Sequence, residues 1–154
     1  MSLPTCKESK DMLPRRKALL ALLSALLLAP AGAVAEPRPP QIPERARVAR
    51  ALFTTGIENR EPIDRIVALD NSHREIFFFS ELRHMQGRRI KHVWEYKGQP
   101  VSEIEFEVRG PRWRVNSKKA LDPAMTGVWT VWVIDSETGW PLKAAQFEYR
   151  PARH

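Results

Sequence analysis

The sequence predicts an all-β fold, a single immunoglobulin-like antiparallel β-sandwich of about seven strands, preceded by a signal peptide and a proline-rich spacer. From Arg47 onward no helix-length stretch repeats its apolar residues every 3.6 positions, whereas several short stretches alternate apolar and polar residues. Those stretches are rich in β-branched and aromatic residues and are bounded by Gly, Pro, Asn, Asp and Ser. Their density, about seven strands in roughly 100 residues, is that of two small sheets packed face to face.

The chain of 154 residues has room for one ordinary domain, and its front takes part of that length. Leu13-Pro14-Arg15-Arg16-Lys17 is a compact cationic cluster, followed by an uncharged run from Ala18 to Ala29, then Pro30, Gly32 and Ala33-Val34-Ala35. This is the three-part layout of a secretory signal, with cleavage expected after Ala35 and Met12 as a candidate start. An uncleaved anchor is the alternative, but Pro30 and Gly32 interrupt the run, and its helical part covers only about 18 Å of a roughly 30 Å hydrocarbon core. A leucine-rich run with Pro14 ahead of the arginine pair suits the general secretory route, to the periplasm or outside, better than the twin-arginine one. Removing residues 1–35 takes away Lys7, Lys10, Arg15, Arg16 and Lys17 against Glu8 and Asp11. Of 25 basic and 18 acidic residues 20 and 16 remain, a net charge of +4. Export and this modest charge argue against a nucleic-acid partner. Cys6, the only cysteine, leaves with the signal, so the domain relies on a packed core without disulfides.

Residues 36–46 read as a spacer, because Pro37, Pro39, Pro40 and Pro43 favour an extended chain. Residues 47–150 form the sandwich and 151–154 a tail. Val48 to Thr55, Arg65 to Leu69 and Glu75 to Leu82 are the first strands, with Phe77-Phe78-Phe79 apolar on both faces. Arg88 to Tyr96 and Val101 to Arg109 form a hairpin across Lys97-Gly98-Gln99-Pro100. Ile90, His92, Trp94 and Tyr96 on one strand and Ile104, Phe106 and Val108 on the other face the core. That pairs Trp94 with Ile104 and Lys91 with Glu107. After Gly110-Pro111, Arg112-Trp113-Arg114-Val115 is a short strand with its arginines outward, and Ser117-Lys118-Lys119 reads as a basic loop. Val128 to Ile134 is the strongest strand; it ends in the turn formers Asp135-Ser136-Glu137-Thr138-Gly139, and Ala144 to Arg150 closes the domain.

Phe53-Thr54-Thr55-Gly56-Ile57, Arg60-Glu61-Pro62, Trp94-Glu95-Tyr96 with Gly98, Gly110-Pro111-Arg112-Trp113-Arg114 and Thr126-Gly127-Val128-Trp129-Thr130-Val131 together resemble the bacterial domain of unknown function 2914 family. The resemblance runs from about Val48 to Tyr149. It implies a compact β domain of an envelope or membrane-attached bacterial protein, and no activity.

Catalytic machinery is not legible in the chain. His73, His84, His92 and His154 stand at no metal-ligand spacing, so neither a metal site nor a cofactor is expected, and His84-Met85 reads as a loop pair. His92, on the core face beside Trp94, reads as a buried, hydrogen-bonded histidine. Glu103, Glu105 and Glu107 form a solvated ladder without the pocket that glycoside hydrolysis needs. No serine lies in a Gly-x-Ser-x-Gly turn and no glycine-rich loop offers a phosphate cradle.

The tryptophans remain. Trp94, Trp113 and Trp129 fall on apolar faces and read as core. Trp129, Val131 and Val133 share one face of their strand, which leaves Trp132 outward, and Trp140 follows Gly139 in a loop. Trp132, Arg112, Arg114 and Trp140 are therefore the candidate ligand-binding residues, able to stack a sugar ring or to bury against a partner; the alternative is that Lys or Arg stems cover Trp132. The expected function is a non-catalytic periplasmic or secreted binding module for an envelope component, either a protein or an anionic glycan. A polysaccharide-acting enzyme, or a membrane-tethered accessory subunit if the signal stays attached, are the alternatives.

Overall fold

Alternating side chains give ten strands: β1 (Arg47–Thr54), β2 (Ile57–Glu58), β3 (Glu61–Pro62), β4 (Ala68–Asp70), β5 (Glu75–Arg83), β6 (Arg89–Tyr96), β7 (Gln99–Glu107), β8 (Arg112–Ala120), β9 (Gly127–Asp135) and β10 (Pro141–Arg150). The structure, a computed structural model, describes residues 41–153. The expected signal segment, the first part of the spacer and His154 lie outside the described residues. Residues 41–46 are irregular, with one turn closed by the Ala46 amide on the Pro43 carbonyl at 2.8 Å.

Two sheets pack face to face, as expected. One has the order β1-β5-β8, the other β4-β10-β9-β6-β7, and β2 and β3 form a separate small hairpin. All pairings are antiparallel except that of β4 with β10, which is parallel. The core lies between the sheets. Phe53 and Phe78 from the three-stranded sheet meet Trp94, His92 and Phe147 from the five-stranded one, with ring centroids 4.7–6.4 Å apart. Trp129, Val131 and Val133 are at most 1% exposed, so the strongest strand presents to the core the face that alternation assigns it.

Two details differ from the sequence reading. The β6–β7 hairpin is shifted by two residues, so that His92, not Trp94, stands opposite Ile104, and Trp94 faces Ser102. The cause is the turn together with a one-residue register shift between Trp94 and Glu95. Lys97 and Gly98 both take positive φ, 49° and 76°, and close a two-residue connection with Tyr96 opposite Gln99 instead of the four-residue loop expected. A slip of two keeps every face, so the buried set is unchanged while Lys91 now stands opposite Glu105 rather than Glu107 and its ammonium reaches the diagonal Glu103 at 3.1 Å. The second difference is in β8, which runs on through Ser117, Lys118 and Lys119 and stays paired to β5 as far as Ala120 opposite Glu75. The segment is therefore strand and not a basic loop; Ser117 points into the core, 4% exposed, and Lys118 points out to Glu75 at 3.0 Å.

Candidate functional site

Each sheet has one face on the core and one toward solvent, and the candidate residues divide between the two solvent faces. On the five-stranded sheet Val128, Thr130, Trp132 and Ile134 of β9 point away from the core. Trp132 is half-buried in the floor of a shallow groove of about 360 Å³, lined also by Val93, Glu95, Pro100, Ile134 and Pro141. No lysine or arginine stem lines that groove. The Trp132 Nε1–H donates to Glu95 Oε2 at 3.1 Å, so the indole's polar edge is satisfied and its apolar surface is what the groove offers. Val128, 51% exposed, continues the apolar stripe along β9. Glu103 and Glu105 are exposed on the neighbouring edge strand β7. Trp140, 67% exposed, lies in the β9–β10 turn, where it lines a second hollow with Gln41, Ile42 and Thr138.

Arg112 and Arg114 are elsewhere. β8 pairs with β5 and not with β9, so both arginines lie on the outer face of the three-stranded sheet, with the whole core between them and Trp132. The expected single site of Trp132 beside Arg112 and Arg114 is not formed. The arginines instead surround Glu81, a carboxylate in the middle of β5 that is 1% exposed. Arg112 donates to Glu81 Oε2 at 2.9 Å, Arg83 pairs with Oε1 at 2.7 Å, and Arg114 lies 3.4 Å and Arg50 3.8 Å from Oε2. Burial would raise the Glu81 carboxyl, but hydrogen bonds and charge from Arg112 and Arg83 outweigh it and hold it at about 2. Glu61, delivered by the β2–β3 hairpin, takes Arg50 at 2.7 Å and Arg114 at 2.9 Å. That hairpin turns through Asn59 and Arg60, both at positive φ, and Asp64 pins its base by accepting from the Thr54 hydroxyl at 2.6 Å.

Two buried polar clusters lie inside the sandwich. His92, fully buried, has Ser80 Oγ 2.9 Å from Nε2 and Ser117 Oγ 2.9 Å from Nδ1, and Ser117 also accepts the Trp94 indole N–H at 3.0 Å. Burial lowers the imidazole to about 3, so it is neutral and serves as a polar strut between the sheets. At one end of the sandwich Arg88 donates to Asp135 at 2.5 Å, and Asp135 also accepts the Glu137 and Thr138 amides, which ties the β9–β10 turn to the start of β6. His84 is exposed at positive φ while Met85 is buried, so the two do not converge. Among the described residues no three His, Cys, Asp or Glu side chains are grouped so as to hold a metal ion.

Residues 87–149 match the model of the family described as "Protein of unknown function (DUF2914)". Over this segment, less than half of the chain, the protein is similar to the DUF2914 family. No curated protein matches the chain. The DUF2914 match runs from two residues before β6 to the penultimate residue of β10. It covers Trp94-Glu95-Tyr96, Gly110 to Arg114 and Thr126 to Val131, and does not include the Phe53 to Ile57 and Arg60 to Pro62 segments of the resemblance. The DUF2914 segment contains the entire Trp132 groove. Of the residues around Glu81 it contains only Arg112 and Arg114, the others coming from β1, β5 and the β2–β3 hairpin.

Two features escaped the sequence reading. Arg50, Arg83 and Glu81 are far from Arg112 in the chain, and only long-range strand pairing brings them together. Ser80 and Ser117 give no local sign that they would bracket a histidine, although the placement of His92 on the core face already required hydrogen-bond partners from the opposite sheet.

Proposed function

We propose that this is an exported, non-catalytic binding module that holds an envelope protein through the Trp132 groove. The observation that carries the reading is an apolar groove in the middle of a sheet face that is otherwise charged. Trp132, Val93, Ile134, Pro100 and Pro141 form an apolar surface, and large aromatics in such recesses are the usual anchors of protein interfaces. A protein partner suits it better than an anionic glycan, because Glu95 lines the groove and Glu103 and Glu105 stand beside it. These carboxylates disfavour an acidic polymer and complement a partner segment with an apolar tip and basic flanks. Export rests on the three-part layout of residues 13–35.

A photo-crosslinking residue at position 128, on the rim of the stripe, tests this in the producing cell. The expected result is one discrete protein adduct that disappears with Trp132→Ala and persists with Lys118→Gln on the opposite face. An adduct indifferent to Trp132→Ala, or none at all from a correctly folded protein, contradicts the reading.

A further inference from the structure

The register of the three-stranded sheet sets like charges side by side. Arg47 of β1 stands opposite Arg83 of β5, which stands opposite Arg112 of β8, three arginines in one row across three strands. In the next row Glu81 is flanked by Arg50 and Arg114. Like charges directly opposite one another are destabilising on a sheet. Against these five guanidinium groups the face has Glu81 and the hairpin's Glu61, which leaves a surplus of three positive charges. Glu81 is buried beneath its partners while the side chains of Arg112, Arg50 and Arg83 remain 49%, 38% and 32% exposed. The carboxylate thus orients the guanidinium groups from below, and their remaining N–H donors face solvent.

The array continues into a concavity. Along the outer side of β1 lies a groove of about 350 Å³ lined by Ala49, Arg50, Ala51, Leu52, Arg65 and Lys143, so that three cations and no carboxylate line it. Arg50 belongs to both the groove and the array.

We propose that this groove binds a phosphate group, with Arg50, Arg65 and Lys143 contacting its oxygens and the Arg83–Arg112 row extending the positive field on one side. A phosphomonoester carries about −1.5 to −2 charge and a phosphodiester about −1, each with several acceptor oxygens, which matches a groove lined by three cations and the forked donors of arginine. The phosphate can belong to a lipid headgroup or to a soluble phosphorylated compound. The site spans the edge between β1 of the three-stranded sheet and β10 of the five-stranded one, and none of the residues lining it lines the Trp132 groove.

The test titrates the purified protein with inorganic pyrophosphate by calorimetry, and separately mixes it with phosphatidylglycerol or phosphatidylcholine vesicles in a flotation assay, both at about 0.15 M salt. Expected is saturable binding in at least one arm, weakened about tenfold or more by the double substitution Arg65→Gln, Lys143→Gln with an unchanged melting temperature. Both substituted side chains project from exposed positions, so the variant retains its core. Capture by phosphatidylglycerol but not phosphatidylcholine vesicles, without pyrophosphate binding, identifies the lipid headgroup; pyrophosphate binding identifies a soluble phosphate. Absence of binding in both arms overturns the proposal, and so does an equal loss on Lys97→Gln at the β6–β7 turn, which would reduce the effect to overall charge.

Discussion

The two outer faces of this sandwich are built by the same alternation and have opposite character. On the five-stranded sheet, Val93 of β6 and Trp132 and Ile134 of β9 make an apolar patch in an otherwise charged face, with acids along the β7 edge. On the three-stranded sheet, outward positions of β1, β5 and β8 gather five arginines at one end, four of them around one buried glutamate. The inner faces are interchangeable in kind, since both supply large apolar side chains to one core. What distinguishes the sheets is therefore carried by residues that the core does not constrain, and these are the residues available for recognition.

The largest effect separates core from face. Trp129→Ala removes a side chain that is 1% exposed and packed on Phe147 and Tyr96, and it should cost about 3–5 kcal/mol by denaturant unfolding. A variant of unchanged stability would mean that the two faces of β9 are reversed.

Next comes the anchor of the cationic face. Glu81→Gln leaves Arg83, Arg112, Arg114 and Arg50 without their shared countercharge; because those partners are partly solvated, the expected loss is about 2–3 kcal/mol, below that of a fully buried pair. Its pH dependence is the sharper check. The folded pKa of about 2 lies below the ordinary 4.5, so the contribution of Glu81 is complete above pH 4.5 and is lost as pH falls toward 2. The variant should lack that part of the acid transition. Equal acid profiles for the two proteins would remove Glu81 from its central role.

His92 acts in an earlier window. Folded, it takes up its proton only at about 3, against 6.5 for an ordinary histidine, so the folded state binds fewer protons than the unfolded one in between. Stability should fall by up to about 1.4 kcal/mol per pH unit as pH drops from 6.5 toward 3, and His92→Gln should flatten that slope. Urea midpoints at several pH values read it directly, and an undiminished slope in the variant would assign the transition to other groups.

Much of this was legible locally. Alternation alone put Trp129, Val131 and Val133 inward and Trp132 outward, and put His92 among core residues. Register was less accessible, because it depends on a two-residue turn at Lys97-Gly98 and on a one-residue shift between Trp94 and Glu95 that no local pattern marks. Lys118 and Lys119 concealed the second half of β8, since two adjacent lysines look like a loop until Glu75 and the Phe77 ring are found beside the first of them. Sheet membership was not legible at all. Whether β8 joins β5 or β9 depends on pairing across the whole chain, and that choice separates Arg112 and Arg114 from Trp132 and gathers them with Arg47, Arg50 and Arg83.

The smallest expected change in stability tests the central claim, that Trp132 belongs to a surface for binding and not to the core. Thermal melting of Trp132→Ala beside Trp129→Ala should show the Trp132 variant within a few degrees of the parent while the Trp129 variant falls far below it. Comparable collapse of both would place Trp132 in the core and contradict the proposed binding face.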